Sequence, residues 1–180
     1  IYNENLDAVF GTRFSKYSKV TNYPKKKLIL NRLFNNTVKL FFLNNYNDFT
    51  NAFKIYKKDT LKKLLPINSK SFDVFLELPL KIIVNDYNYK IISINWLGRS
   101  IGKSKFVINE LMFGYFFIFI KLWIQYIKKK IKYIYTFNKY WWPFLNFTEL
   151  RQLTNLFLQK MIKLVNDLME KETDLRLKFI

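Results

Sequence analysis

The spacing of apolar positions changes several times along the chain, and each change marks an element. "DAVFGTRF" (Asp7 to Phe14) is short and apolar, and it predicts a strand ending in a turn at Gly11. "SKYSKVTNYPKKK" follows as a polar, lysine-rich loop, and Pro24 suits the first turn of a helix. From Lys26 to Leu43 the apolar residues Leu30, Leu33, Phe34, Val38 and Phe41 recur with a helical period. Asn44 to Asp48 is polar punctuation, and Phe49 to Tyr56 reads as extended or irregular. "KKDTLKKLLP" predicts a short helix stopped by Pro66. Ser71 to Asp86 predicts another, with Pro79 as an interior kink. "YNYKIISIN" reads as a strand, and Phe106 to about Ile127 as an apolar, aromatic-rich helix. In the last segment, Phe147 to Lys171, Leu150, Leu153, Phe157, Met161, Leu164 and Leu168 are spaced by threes and fours. That is an amphipathic helix suited to pack on a partner helix, as in an oligomer.

Strands alternating with helices define an α/β chain. Its composition shifts near Lys128. The expected division is a domain over 1–127 and, over 128–180, a basic aromatic linker with the amphipathic C-terminal helix. The chain starts without Met or a signal-peptide pattern and enters almost directly into an apolar run, so a fragment lacking its N-terminal part is expected.

Composition narrows the chemistry. With no Cys and no His in 180 residues, thiol chemistry, disulfides, the usual zinc sites and imidazole catalysis are excluded. The formal charge of +18 points to an anionic partner: nucleic acid, anionic lipid or a phosphorylated substrate. An AT-biased genome would also enrich Lys, so the placement of the cations carries more than their sum. "LMFGYFFIFIKLWIQYIKKKIKYIY" has an uninterrupted apolar run of only about ten residues before Lys121, short of the ~20 that span a bilayer. Its aromatics and the following Lys128, Lys129, Lys130 and Lys132 suit a helix at a membrane interface; a core helix covering the sheet is the other reading.

Cations and carboxylates in unusual places mark the candidate site. "NWLGRSIGKSKF" holds two of the four glycines and, within seven residues, Arg99, Lys103 and Lys105, with Ser104 between the lysines. Glycine and cations after a strand can hold an anion, although Gly98 and Gly102 are too close for a G-x-x-x-x-G-K-[ST] loop. Arg13 follows a strand, and a guanidinium fork matches phosphate oxygens. Arg32 sits in an apolar helical pattern with Asn35 close by, where a charge needs a partner, a ligand or a route to solvent. Asp48 and Thr50 form a D-x-T, otherwise a common cap or turn. Glu77 is a carboxylate among apolar residues.

Four segments in order, "DAVFGTRF", "YPKKKLILNRLFNNTVKLFF", "YNDFTNAFKIYKKDTLKKL" with "SFDVFLELPLK", and "INWLGRSIGKSKF", resemble the second half of family 2 glycosyltransferases. The likeness is to the polyprenyl-phosphate sugar transferases, of the dolichol-phosphate mannosyltransferase kind, and covers roughly Asp7 to Tyr126. It implies the C-terminal portion of a GT-A, nucleotide-diphospho-sugar transferase fold. The implied reaction moves a sugar from a nucleotide donor to a dolichyl or undecaprenyl phosphate at the cytoplasmic membrane face. Arg13, Arg32 and Asn35 would face the acceptor phosphate. Asp48, Thr50 and Asn51 would lie beside the donor sugar, and Arg99, Lys103, Ser104 and Lys105 by its diphosphate, with Asp48 and Arg99 as catalytic residues. Glu77 would contact the acceptor region or partner a nearby cation. Asn51 and Ala52 depart from the commoner T-S-G-F form. A divalent cation, Mg or Mn, would be held by a D-x-D motif in the missing half, and this chain alone would supply no metal ligand. The implied partners are a nucleotide sugar, a polyprenyl phosphate and an anionic membrane surface, without nucleic acid. The competing reading is a non-catalytic basic module, binding nucleic acid through aromatics such as Tyr133, Tyr135, Trp141 and Trp142, or a membrane-surface adaptor.

Overall fold

The computed structural model describes residues 5–69, 71–98 and 108–141 and five helical positions between 152 and 163. It divides into two compact units, Ile1–Trp123 and Ile124–Ile180. The described chain is mixed α/β, with small sheets and four helices. The first unit is built round strand β1 (Ala8–Thr12), which lies between β3 (Lys54–Tyr56) and β4 (Tyr89–Ser93). β1 runs antiparallel to β3, with Phe10 opposite Lys54, and parallel to β4, with Thr12 opposite Ser93. A central strand has both edges paired, and four of the five β1 residues are buried. Phe10 is fully buried and packs on the rings of Tyr46, Tyr56 and Tyr89 at 5.0, 6.0 and 4.9 Å.

Gly11 does not end the strand in a turn, as its sequence context predicts. It lies within β1, and a Cβ there would come 2.9 Å from Phe53 Cδ1 and 3.0 Å from the Phe53 carbonyl. Its amide donates to that carbonyl at 2.9 Å. The glycine therefore serves close approach between strands. The segment read as extended or irregular resolves into loop to Phe53 and strand from Lys54.

Helix α1 (Lys25–Phe41) forms where its period predicts, after Pro24, but its buried face differs from the apolar stripe. Asn35 and Val38 are buried, whereas Leu30 and Leu33 are 52% and 64% exposed. The inward polar face is recruited by hydrogen bonds to the loop beneath it. Helices α2 (Lys58–Lys63) and α3 (Val74–Val84) follow, α3 continuing through the buried Pro79. Helix α4 (Ile108–Trp141) extends well beyond the predicted end at Ile127. Within the first unit it packs on α1: Phe34 meets Tyr115, and Phe41 meets Phe119 and Trp123, all edge-on within 5.6 Å. Among the described residues no helix is long and apolar enough to cross a membrane. The amphipathic helix expected over 147–171 lies mostly outside the described residues.

A second, two-stranded parallel sheet joins β2 (Val20–Thr21) to β5 (Trp96–Leu97). Two-residue strands leave no alternation to read, so this pairing was not legible in the sequence. Gly98 closes it: its amide donates to the Thr21 carbonyl at 2.8 Å, and a Cβ would lie only 2.1 Å from the Asn22 carbonyl oxygen. Gly98 thus sits in a tightly packed corner.

Candidate functional site

Arg13 follows the end of β1 and is buried, and the loop after α1 brings Asp48 against it. The Asp48 carboxylate accepts three hydrogen bonds from that one residue. The Arg13 amide and Nε reach Oδ2, both at 2.9 Å, and Nη2 reaches Oδ1 at 2.6 Å. Asp48 is fully buried and Arg13 is 8% exposed. Burial disfavours the Arg13 charge, but the hydrogen bond and attraction of Asp48 outweigh it, so the proton is held more tightly than usual. Nη1 is left over from the pairing. Beside Asp48, the Tyr46 hydroxyl donates to the Asp48 carbonyl at 2.7 Å and reaches the Gly11 carbonyl at 3.0 Å. Burial, followed by the nearby Asp48, raises its pKa and keeps it a donor.

Arg32, from α1, arrives at the same loop. Its Nη1 donates to the Asn47 carbonyl at 3.1 Å and its Nη2 to Asn36 Oδ1 at 3.3 Å. Its guanidinium lies 4.4 Å from the Phe14 ring centre, and the Arg13 guanidinium lies 5.3 Å from the same ring. Two cations therefore share one aromatic ring over the Asn47–Asp48 peptide, with one carboxylate between them. That arrangement has a surplus of positive charge and fits an anion. Among the described residues Arg32 forms no ion pair. Tyr23 flanks Arg13 at 5.8 Å and packs on Trp96 at 4.7 Å.

The remaining predicted residues fall into three groups. Asn35 and Thr50 meet: Thr50 N–H donates to Asn35 Oδ1, and Asn35 Nδ2 reaches Thr50 Oγ1, each at 3.3 Å. Asn51 is committed to backbone, donating to the Gly11 carbonyl at 2.8 Å and accepting from Phe53 N–H at 3.2 Å. Arg99, Lys103, Ser104 and Lys105 lie outside the described residues. Glu77 belongs to a separate cluster under the loop before α3. It accepts from the Asn68 and Ser69 amides and the Ser69 hydroxyl, and pairs with Lys81 at 2.7 Å. Of the two roles weighed for Glu77, cation partner is the one its contacts display.

Burial alone would raise the Glu77 pKa, but Lys81, Ser69 and Asn68 overcome it and bring the carboxyl from 4.5 down to about 2. A depressed folded pKa stabilises the chain fully above the unfolded value and loses that stabilisation as pH falls from about 4.5 toward 2. The full shift is worth ~3 kcal/mol, and solvent screening of the loop reduces it to about 1–2 kcal/mol. Glu77→Gln is expected to unfold more easily in urea at pH 7, with the difference from wild type closing below pH 4.5. A constant difference down to pH 2 would contradict the pairing.

Asn47, Phe14 and Lys54 carry the site without having been legible as part of it. Asn47 accepts from the Thr12 hydroxyl at 2.6 Å and donates to the Phe14 carbonyl at 3.0 Å, which fixes the turn bearing Arg13. An Asn before an Asp in a polar run gave no sign of that. Among the described residues no group of three potential ligands could hold a metal, and the Asp48 and Glu77 oxygens are engaged by cations and amides. The described residues therefore do not fit a divalent-metal centre.

The described chain, mixed α/β with small sheets and four helices, is consistent with part of a glycosyltransferase-like fold. The chain is similar to a polyprenol monophosphomannose synthase of Mycolicibacterium smegmatis (strain ATCC 700084 / mc(2)155). The two are 26% identical over 112 residues, which is 59% of this chain and 42% of that protein. The chain thus spans less than half the length of that curated relative. No family model matches the chain, and no solved structure matches it. The distant likeness suggests a glycosyltransferase-like function.

Proposed function

We propose that this chain is the acceptor-side part of a family 2-type glycosyltransferase with a GT-A fold. It would move a sugar from a nucleotide-diphospho-sugar to a dolichyl or undecaprenyl phosphate at the cytoplasmic face of the membrane. The observation that carries the reading is the pair Arg13 and Arg32 on the Phe14 ring, held over Asn47 and Asp48. In this reading the pair receives the acceptor phosphate, Asp48 aims Arg13, and Asn35 holds Thr50 toward the donor sugar. Arg99, Lys103, Ser104 and Lys105 approach the donor diphosphate.

The chemistry needs little from the protein beyond placement. A phosphate oxygen forms a bond to the anomeric carbon while the bond from that carbon to the donor diphosphate breaks. The nucleoside diphosphate leaves with the electron pair. The attacking phosphate is already an anion, so no general base is required, which suits a chain without histidine. Positioning and cationic stabilisation of the leaving group supply the rate. A divalent cation, Mg or Mn, would neutralise charge on the leaving diphosphate, and among the described residues no group of three ligands is placed to hold it. Exposed Ile29, Leu30, Leu33 and Leu40 on α1, beside exposed Lys25, Lys26 and Lys39, support contact with an anionic membrane surface.

The test uses the protein expressed from its complete reading frame, with radiolabelled GDP- or UDP-sugars and membranes containing polyprenyl phosphate. Label is expected in an acid-labile, organic-soluble lipid. Label confined to protein or water-soluble products would overturn the reading.

A further inference from the structure

Helix α3 carries a proline in mid-helix, and the carbonyl it frees is not left bare. Pro79 has no amide hydrogen to donate to the Phe75 carbonyl one turn earlier. That carbonyl accepts instead from the Lys54 ammonium at 3.1 Å. The same ammonium donates to the Phe49 carbonyl at 2.8 Å and to the Asn51 carbonyl. Phe49 and Asn51 bracket Thr50 and follow directly on Asp48.

We infer that Lys54 is a positioning residue: its ammonium stands in for the amide that Pro79 lacks, and so clamps the Asp48–Asn51 segment, and through Asp48 the Arg13 fork, onto α3. Three ammonium protons match three carbonyls, which neither a methyl group nor a planar guanidinium reproduces. Among the described residues Asp48 and Arg13 are the charged groups that act on it, and the Tyr46 ring lies 5.8 Å away. Burial, opposed by Asp48 and aided by Arg13, brings the Lys54 pKa down to about 7. Retention of its third proton thus depends on the carbonyls and on Asp48. The arrangement also explains how an apolar helix tolerates a proline amid buried neighbours.

The functional half of this inference rests on the proposed transfer reaction; the link between Lys54 and Pro79 does not. The test compares the complete protein with its K54M, P79A and K54M/P79A variants. In urea unfolding, K54M is expected to lower the midpoint more when Pro79 is present than in the P79A background, where the restored amide covers the Phe75 carbonyl. Equal losses in both backgrounds would overturn the substitution of ammonium for amide. In the transfer assay, K54M is expected to raise KM for polyprenyl phosphate ~10-fold. It should stay raised in K54M/P79A although the midpoint partly recovers, because the Phe49 and Asn51 carbonyls remain unclamped. KM recovering in step with the midpoint would overturn the positioning role. Absence of any transfer in the wild-type protein would overturn the proposed reaction, while the midpoint comparison would still decide the link between Lys54 and Pro79.

Discussion

Asp48→Ala is expected to destabilise the chain by about 3–5 kcal/mol. The substitution removes the partner of a buried guanidinium and leaves three Arg13 donors without an acceptor. Arg13 cannot shed its charge to escape, because the guanidinium does not deprotonate in proteins. It must swing out to water or stay buried unpaired, and either course unravels the turn that Phe14 and Asn47 hold. Asp48→Asn is expected to cost nearly as much, since its amide hydrogens would face Arg13. Urea unfolding at pH 7 measures both. A loss under ~1 kcal/mol would place Arg13 and Asp48 among weak surface pairs. Replacing both residues by apolar ones of similar volume is expected to restore much of the stability, because an absent buried pair costs less than a broken one.

Arg32→Gln is expected to leave the chain folded and to lower kcat/KM for sugar transfer about 10- to 100-fold in the complete protein. Arg32 is half-buried, and among the described residues its contacts are one carbonyl, one side-chain amide and the Phe14 ring, none of them a carboxylate. Glutamine keeps much of the stem and one donor group but loses the charge. In a phosphate-binding role that loss falls on the acceptor's KM, whereas a merely structural arginine would change the unfolding midpoint and leave KM alone. Circular dichroism and the unfolding midpoint establish the fold, and steady-state transfer over a range of acceptor concentrations gives the KM.

How much the sequence disclosed depended on the length of each pattern. Helix α1 was legible because a long run keeps one period, and strand β4 because Tyr89, Ile91 and Ile92 are strong strand formers. The inward face of α1 was not, because Asn31 and Asn35 face inward for hydrogen bonds to Thr50, leaving Leu30 and Leu33 outside. Gly11 looked like a turn because glycine usually marks one; only the nearness of Phe53 reveals a strand position without room for a side chain. The site residues Arg13, Arg32, Asp48, Thr50 and Asn35 were legible through their types and order. Their pairing was not, since it joins positions 35 residues apart through a loop. Lys54 falls in the motif that the resemblance covers, but its role was not legible, because the carbonyl it covers is defined by Pro79, far along the chain.

The central claim is that the paired guanidiniums receive the phosphate of a lipid acceptor. The most direct measurement offers the complete protein a polyprenyl phosphate and the matching polyprenol, each with the same radiolabelled nucleotide sugar. The account predicts transfer to the phosphate, none to the alcohol, and a raised KM for the phosphate in Arg32→Gln. Equal transfer to polyprenol, or an unchanged KM for polyprenyl phosphate in the variant, would contradict it.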